Sequence, residues 1–168
     1  LIRKNKRTVI PVGTIDGTVP VAENTIYDLA SITKAIPLAS LALTLIAEQP
    51  PRFNLTDKVT EYIPELQNDH GATIEDLLRY RVAGPRMSTL RLQTFEEIRA
   101  YVFEHGFSGP AGEGAYTNAP AFLLGIILER VAGNPPVGGL PELAHRYFFE
   151  PLGMTDTSFF PENTDASN

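Results

Sequence analysis

Ser31 and Lys34, in the run Ser31-Ile32-Thr33-Lys34, are three residues apart. On a helix they share one face, a turn from each other, so the amine can reach the hydroxyl. A serine hydroxyl near neutral pH is a poor nucleophile until a neighbour takes its proton, and a partly buried lysine can have its pKa lowered enough to do so. A helix N-terminus would add a positive partial charge beside an oxygen that turns negative during attack. The same four residues also read as an ordinary helix start with a solvated lysine. Their surroundings must decide between the two.

The element that would position the pair is the apolar segment from Ala35 to Ala47. Ala35, Ile36, Leu38, Ala39, Leu41, Ala42, Leu43, Leu45 and Ile46 leave almost no polar face, so the spacing predicts a helix buried on nearly all sides. Pro37 removes a backbone donor and is expected to bend or loosen its first turns. The segment is too short for the roughly 18 to 20 apolar residues of a membrane span, so no span is expected in this chain. A net charge of −6 and a pI near 5.0 lack the basic footprint of phosphate binding, which argues against nucleic acid as a partner. The absence of cysteine excludes disulfides and thiolate chemistry.

Upstream, Val9, Ile10, Val12 and Ile15 read as extended structure, with Asp16-Gly17 as a hairpin turn before Val19 to Val21. Downstream, short helices have readable starts. Thr56 or Asp57 opens one that Pro64 closes; Thr73 with Asp76 resembles a capping box; Thr94 with Glu97 does the same for Phe95 to Glu104, with Gly106 as its C-terminal cap. The glycine-rich loop 109–114 delivers Tyr116-Thr117-Asn118, ahead of an apolar helix from about Pro120 to Ala132 that Gly133 stops, and a last helix spans about Pro141 to Glu150. Strands are scarce, so the chain itself should be mainly helical. His70, His105 and His145 lack metal-ligand spacing and are read as structural or exposed, and Glu113 as an exposed loop carboxylate. Tyr116 and Asn118 also read as a loop tyrosine and a helix N-cap. A Ser-His-Asp mechanism finds no support, for there is no Gly-x-Ser-x-Gly elbow.

Ser31-Ile32-Thr33-Lys34 followed by Tyr116-Thr117-Asn118 resembles the paired motifs of the serine β-lactamase and penicillin-binding-protein superfamily, in its class C β-lactamase, D-alanyl-D-alanine carboxypeptidase and esterase branch. Thr25 to Ala30, Leu55 to Val59, Tyr62 to Glu65, Thr73 to Leu78 and Phe149 to Met154 resemble that family's connecting segments. The resemblance implies an α/β (α+β), β-lactamase/DD-peptidase-like fold, with a helical subdomain and an antiparallel sheet largely outside this chain. Residues 1–30 would hold N-terminal strands, 31–49 the nucleophile helix and 50–168 the mostly helical subdomain. It implies Ser31 as the nucleophile forming an acyl-enzyme, Lys34 as a group that helps take its proton, and Tyr116 as a base or proton relay. Because a free tyrosine ionises near pH 10, that role requires positive charge nearby, for which Lys34 is the obvious source. Asn118 would bind the substrate's amide, and the Ser31 N–H would supply one oxyanion donor. The implied substrates are β-lactams, D-alanyl peptides or carboxylic esters, small molecules or peptides, with no metal or organic cofactor. The resemblance leans towards an extracytoplasmic bacterial protein.

Two departures stand out. Many relatives read His-Thr-Ser-Gly after the Leu-Leu pair, where this chain has Arg79-Tyr80-Arg81-Val82-Ala83-Gly84. The family's third motif, a strand with Lys-Thr-Gly or His-x-Gly that supplies the second oxyanion donor, is not among these 168 residues. The chain is therefore expected to be an N-terminal portion that needs a C-terminal segment to complete its site. Loss of one oxyanion donor costs on the order of 10² to 10³ in rate. Hydrolysis by the 168-residue chain is accordingly expected to be slower by about that factor than by the same chain extended through such a strand. Equal turnover would overturn the expectation.

Overall fold

Pro37 governs the first elements of the helical part of the chain. Its ring disfavours the α conformation for the residue before it. In the computed structural model, which describes residues 2–3, 6–92, 94–114, 116–132 and 138–159, Ile36 is accordingly extended, with φ −129° and ψ 115°. The turn that opens at Ser31, closed by the Lys34 N–H on the Ser31 carbonyl at 3.1 Å, is thereby cut off from helix α1, Ser40–Ala47. Between them Lys34–Ala39 form a widened, π-type turn. The Ala35 carbonyl accepts the Ser40 N–H and, at 3.1 Å, the Ser40 hydroxyl. The helix expected from Ala35 to Ala47 is thus two pieces. Its burial is one-sided too, since Leu38, Leu41, Ala42 and Leu45 are buried while Ile36 and Leu43 are exposed.

The chain divides into two compact units, Leu1–Ala30 and Ser31–Asn168. In the first, strands β1 (Ile2–Arg3) and β2 (Lys6–Arg7) pair antiparallel, with Ile2 opposite Arg7. The expected Asp16-Gly17 turn is present. Asp16 accepts the N–H groups of Val19 and Thr18, each at 2.9 Å, and these bonds hold its carboxyl at about 2. The flanking strands shrink to a single bridge between Thr14 and Pro20. Pro11 and Pro20 lack the N–H donors that a longer ladder needs. Ile10, Val12, Ile15 and Val19 remain exposed.

The second unit is helical among its described residues. Helix α2 (Val59–Tyr62) begins after Lys58 rather than at Thr56 or Asp57. The Asp57 carboxylate is instead engaged by the Asn54 N–H at 2.7 Å and the Tyr62 hydroxyl at 2.6 Å. Helix α3 (Ile74–Leu78) carries the expected capping box, in which the Asp76 N–H donates to the Thr73 hydroxyl and the Thr73 N–H donates back to the Asp76 carboxylate. A 3₁₀ turn at Met87–Thr89 follows. Helix α4 (Phe95–His105) has the equivalent box at Thr94 and Glu97, and Gly106 caps its C-terminus as expected.

Helix α5 (Ala119–Val131) buries Leu123, Leu124, Ile127 and Leu128. It packs against α2, α3, the Lys34–Ala39 turn and helix α6, Gly139–Ala144. Arg130 on α5 grips both Glu65 oxygens, at 2.7 and 3.1 Å, and the Tyr62 carbonyl at 2.6 Å. A π-type turn at His145–Phe149 completes the last expected helix. Gly133, the expected stop of α5, lies outside the described residues. No described helix is long and apolar enough to cross a membrane.

Gly106 shows how tightly α4 is docked. Its φ is 59°, and a Cβ there would overlap the Gln67 carbonyl. Gly106→Ala is expected to lower stability by about 2 kcal/mol or more in urea denaturation, because strain and collision combine. Gly109→Ala, whose Cβ would meet open space, is expected to change it by less than about 0.5 kcal/mol.

Candidate active site

The Ser31 turn and the loop before α5 meet at one oxygen. Helical spacing brings the Lys34 amine to the Ser31 hydroxyl, with Nζ donating to Oγ at 2.8 Å. From 85 residues further along, the Tyr116 hydroxyl reaches the same Oγ at 3.1 Å. The Lys34 ammonium also stands 5.5 Å from the centre of the Tyr116 ring. Ser31 and Tyr116 are exposed and Lys34 is half-buried, so the cluster is open to a ligand. The break at Ile36 leaves only a short turn behind Ser31. The helix dipole expected to assist its oxygen is correspondingly local, because the aligned peptides of α1 are not continuous with it.

Its hydrogen bond with the Ser31 hydroxyl, and then hydrogen bonding with Lys34 together with the Lys34 charge, holds the Tyr116 phenol below the usual tyrosine range. Sequence reasoning named Lys34 as the source of this shift. The Ser31 hydroxyl is a further cause that the spacing did not suggest, and Lys34 contributes as expected, through a hydrogen bond and its charge. Once Tyr116 is ionised, the Ser31 proton has an acceptor 3.1 Å away, within the reach that general-base catalysis requires.

Asn118 is exposed and occupies the N-cap position of α5, yet its side chain makes no capping hydrogen bond. Its backbone is already helical, at φ −80° and ψ −17°, whereas a capping side chain needs the extended conformation to reach back. With Thr33 and Lys34 it borders a largely apolar groove of about 430 Å³ that continues to Leu38, Met87 and Phe122. The histidines lie elsewhere in hydrogen-bonding and surface roles. His70 meets the Phe107 carbonyl at 3.0 Å and His105 the Tyr101 carbonyl at 2.9 Å, while His145 is exposed. Glu113 is exposed, as expected. Among the described residues no group of three His, Cys, Asp or Glu is placed to hold a metal ion.

The altered segment 79–84 is the bed on which the Tyr116 loop rests. The Gly112 N–H donates to the Arg81 carbonyl at 2.8 Å. A Cβ at Gly114 would stand 2.5 Å from the Tyr80 carbonyl, and one at Gly84 would collide with the Ala119 Cβ. Tyr80, which sequence reasoning did not single out, lays its ring against Tyr116 with centroids 5.1 Å apart and planes 33° apart. The readable signal was an aromatic residue two positions after the Leu77-Leu78 pair. Its left-handed backbone was not readable.

Comparison with known proteins places this geometry in a family. The family profile described as Beta-lactamase matches residues 1–168. An Escherichia coli (strain K12) protein described as "Putative D-alanyl-D-alanine carboxypeptidase" is 29% identical over 158 residues, covering 82% of this chain and 34% of that protein. The chain thus spans about a third of that relative's length. The D-amino acid amidase of Ochrobactrum anthropi SV3 superposes with a TM-score of 0.72 at 24% identity, covering 91% of this chain and 46% of that one. A class C β-lactamase superposes at 0.64 and 22% identity, covering 82% and 37%. These solved structures share the fold, and the match along all 168 residues makes this chain a member of the β-lactamase family, within the superfamily of serine β-lactamases and penicillin-binding proteins.

Proposed function

We propose that the chain carries the nucleophile of a serine hydrolase that works through an acyl-enzyme on Ser31, with β-lactam, D-alanyl peptide or carboxylic ester substrates. The observation that carries the reading is the convergence of Lys34 Nζ and the Tyr116 hydroxyl on Ser31 Oγ, at 2.8 and 3.1 Å. Ser31 Oγ attacks the carbonyl carbon as its proton passes to the ionised Tyr116, and the Ser31 N–H supports the oxyanion. The carbonyl's bond to nitrogen or alkoxy oxygen then breaks, and Tyr116 returns the proton to the departing amine or alcohol. Water attacks the ester on Ser31, giving a proton to the same relay and restoring the hydroxyl. Lys34 holds Oγ in place and stabilises the Tyr116 phenolate, and Asn118, at the edge of the neighbouring groove, takes the substrate amide.

The named relatives and neighbours act on different bonds. Their described activities, a carboxypeptidase, an amidase and a β-lactamase, support acyl transfer as the common chemistry without selecting one substrate. A second reading, a non-catalytic scaffold that binds or senses such ligands, draws support from the break at Ile36 directly behind the Ser31 turn.

Intact-mass analysis after incubation with a fluorophosphonate and with a penicillin separates the two. An adduct on Ser31, absent in Ser31→Ala, is expected. Tyr116→Phe and Lys34→Met are each expected to slow its formation about 10²- to 10⁴-fold, the usual contribution of a positioned proton-transfer group. No adduct with either reagent would favour the binding module.

A further inference from the structure

Tyr80 occupies a position built for glycine. Helix α3 ends at Leu78 with Arg79 as its C-cap. The next two N–H groups then fold back, Tyr80 onto the Leu77 carbonyl at 3.2 Å and Arg81 onto the Asp76 carbonyl at 2.8 Å. That pair of bonds is the Schellman closure, whose first residue beyond the cap lies in the left-handed region and is most often glycine. Tyr80 is held there at φ 54°, a conformation that an aromatic residue enters only against a steric cost. The surrounding backbone enforces it. The Arg81 carbonyl binds the Gly112 N–H at 2.8 Å and the Ala83 carbonyl binds the Ser108 N–H at 2.8 Å. The left-handed turn aims the ring at Tyr116, where the two rings meet at 5.1 Å.

We infer that Tyr80 is a positioning residue: its ring, aimed by the left-handed turn after α3, braces the ring of Tyr116 so that the Tyr116 hydroxyl stays on Ser31 Oγ. The kinetic consequence rests on the acyl-enzyme reading above; the structural one does not. Tyr116 is itself 61% exposed and follows a loop with three glycines, Gly109, Gly112 and Gly114. Its own segment therefore does little to fix the ring, and among the described residues the Tyr80 face is the aromatic surface against it. Burial pushes the Tyr80 phenol up, with the neighbouring Tyr116 adding to the shift. Tyr80 thus stays protonated while Tyr116 ionises. Its hydroxyl takes no part in the proposed brace, which the ring alone provides.

This separates the variants. Tyr80→Phe keeps the ring and is expected to acylate with the fluorophosphonate within about 2-fold of the parent rate. Tyr80→Gly suits the turn better, so the fold should persist with an unchanged or higher melting temperature, yet acylation is expected to fall 10-fold or more. Tyr80→Asn, which tolerates the left-handed region, serves in its place if the glycine variant does not fold. Parent-like labelling in Tyr80→Gly, or labelling in Tyr80→Phe as slow as in Tyr80→Gly, would overturn the inference.

A second readout is independent of catalysis. In ¹H–¹³C spectra of tyrosine-labelled protein, the Tyr116 ring signals, assigned by their loss in Tyr116→Phe, are expected to shift when Tyr80 becomes glycine and to stay near the parent position in Tyr80→Phe. Unshifted signals in Tyr80→Gly would overturn the brace. If the parent is not labelled at all, the acyl-enzyme reading fails by itself, and the spectra decide the fate of the brace.

Discussion

Ser31 Oγ is the acceptor of two hydrogen bonds, one from the amine a helical turn away and one from a phenol 85 residues along the chain. The first is local and follows from the backbone of a single turn. The second requires the fold, because a loop and a turn far apart in sequence must be set against each other to within a few tenths of an ångström. Most of what the second unit shows near this point serves that requirement. Helix α5 packs directly on the Lys34–Ala39 turn and on α3, so the Tyr116 segment at its start and the Ser31 turn are referenced to one core.

Close backbone approach supplies the remaining precision. The segment 80–84 touches the Tyr116 loop on one side at Gly112 and Gly114 and on the other at Ala119. Glycine at 84 and at 114 is what allows those strands of chain to come so near, since a side chain at either place would have to displace backbone or a buried methyl. The departure from His-Thr-Ser-Gly in this segment thus leaves a rigid bed in place and puts an aromatic face in it. The site also stands on a turn weakly coupled to α1, because Pro37 interrupts the backbone ladder at Ile36. The chemistry proposed for Ser31 then leans on Lys34 and Tyr116 rather than on a long helix dipole.

Much of this was legible in residue types. Ser-x-x-Lys spacing placed amine on hydroxyl because helical geometry leaves little choice, and the capping boxes at Thr73 and Thr94 formed because each satisfies two backbone donors that no helix can satisfy itself. Pairing of Ser31 with Tyr116 was legible only through the resemblance of the two motifs; no periodicity links positions so far apart. Other features depended on tertiary context. Asn118 takes the N-cap position without capping, since its backbone enters the helix one residue early. The strands around Asp16-Gly17 hold only a bridge, because prolines remove donors that the apolar pattern does not reveal. Tyr80 contradicts the local preference for glycine after a helix, and only its contact with Tyr116 gives that contradiction a reason.

The central claim is that Ser31 and Lys34 make Tyr116 a base. The most direct measurement is the ionisation of Tyr116 itself, followed by ¹³Cζ NMR of tyrosine-labelled protein across pH and assigned by Tyr116→Phe. The expected midpoint lies below the ordinary tyrosine value of 10.0, and it should rise in Ser31→Ala, which removes the hydrogen-bonding hydroxyl, and in Lys34→Met, which removes the charge. A parent midpoint at or above the ordinary value, unmoved by either substitution, would contradict the claim and leave Tyr116 a surface phenol beside an unactivated serine.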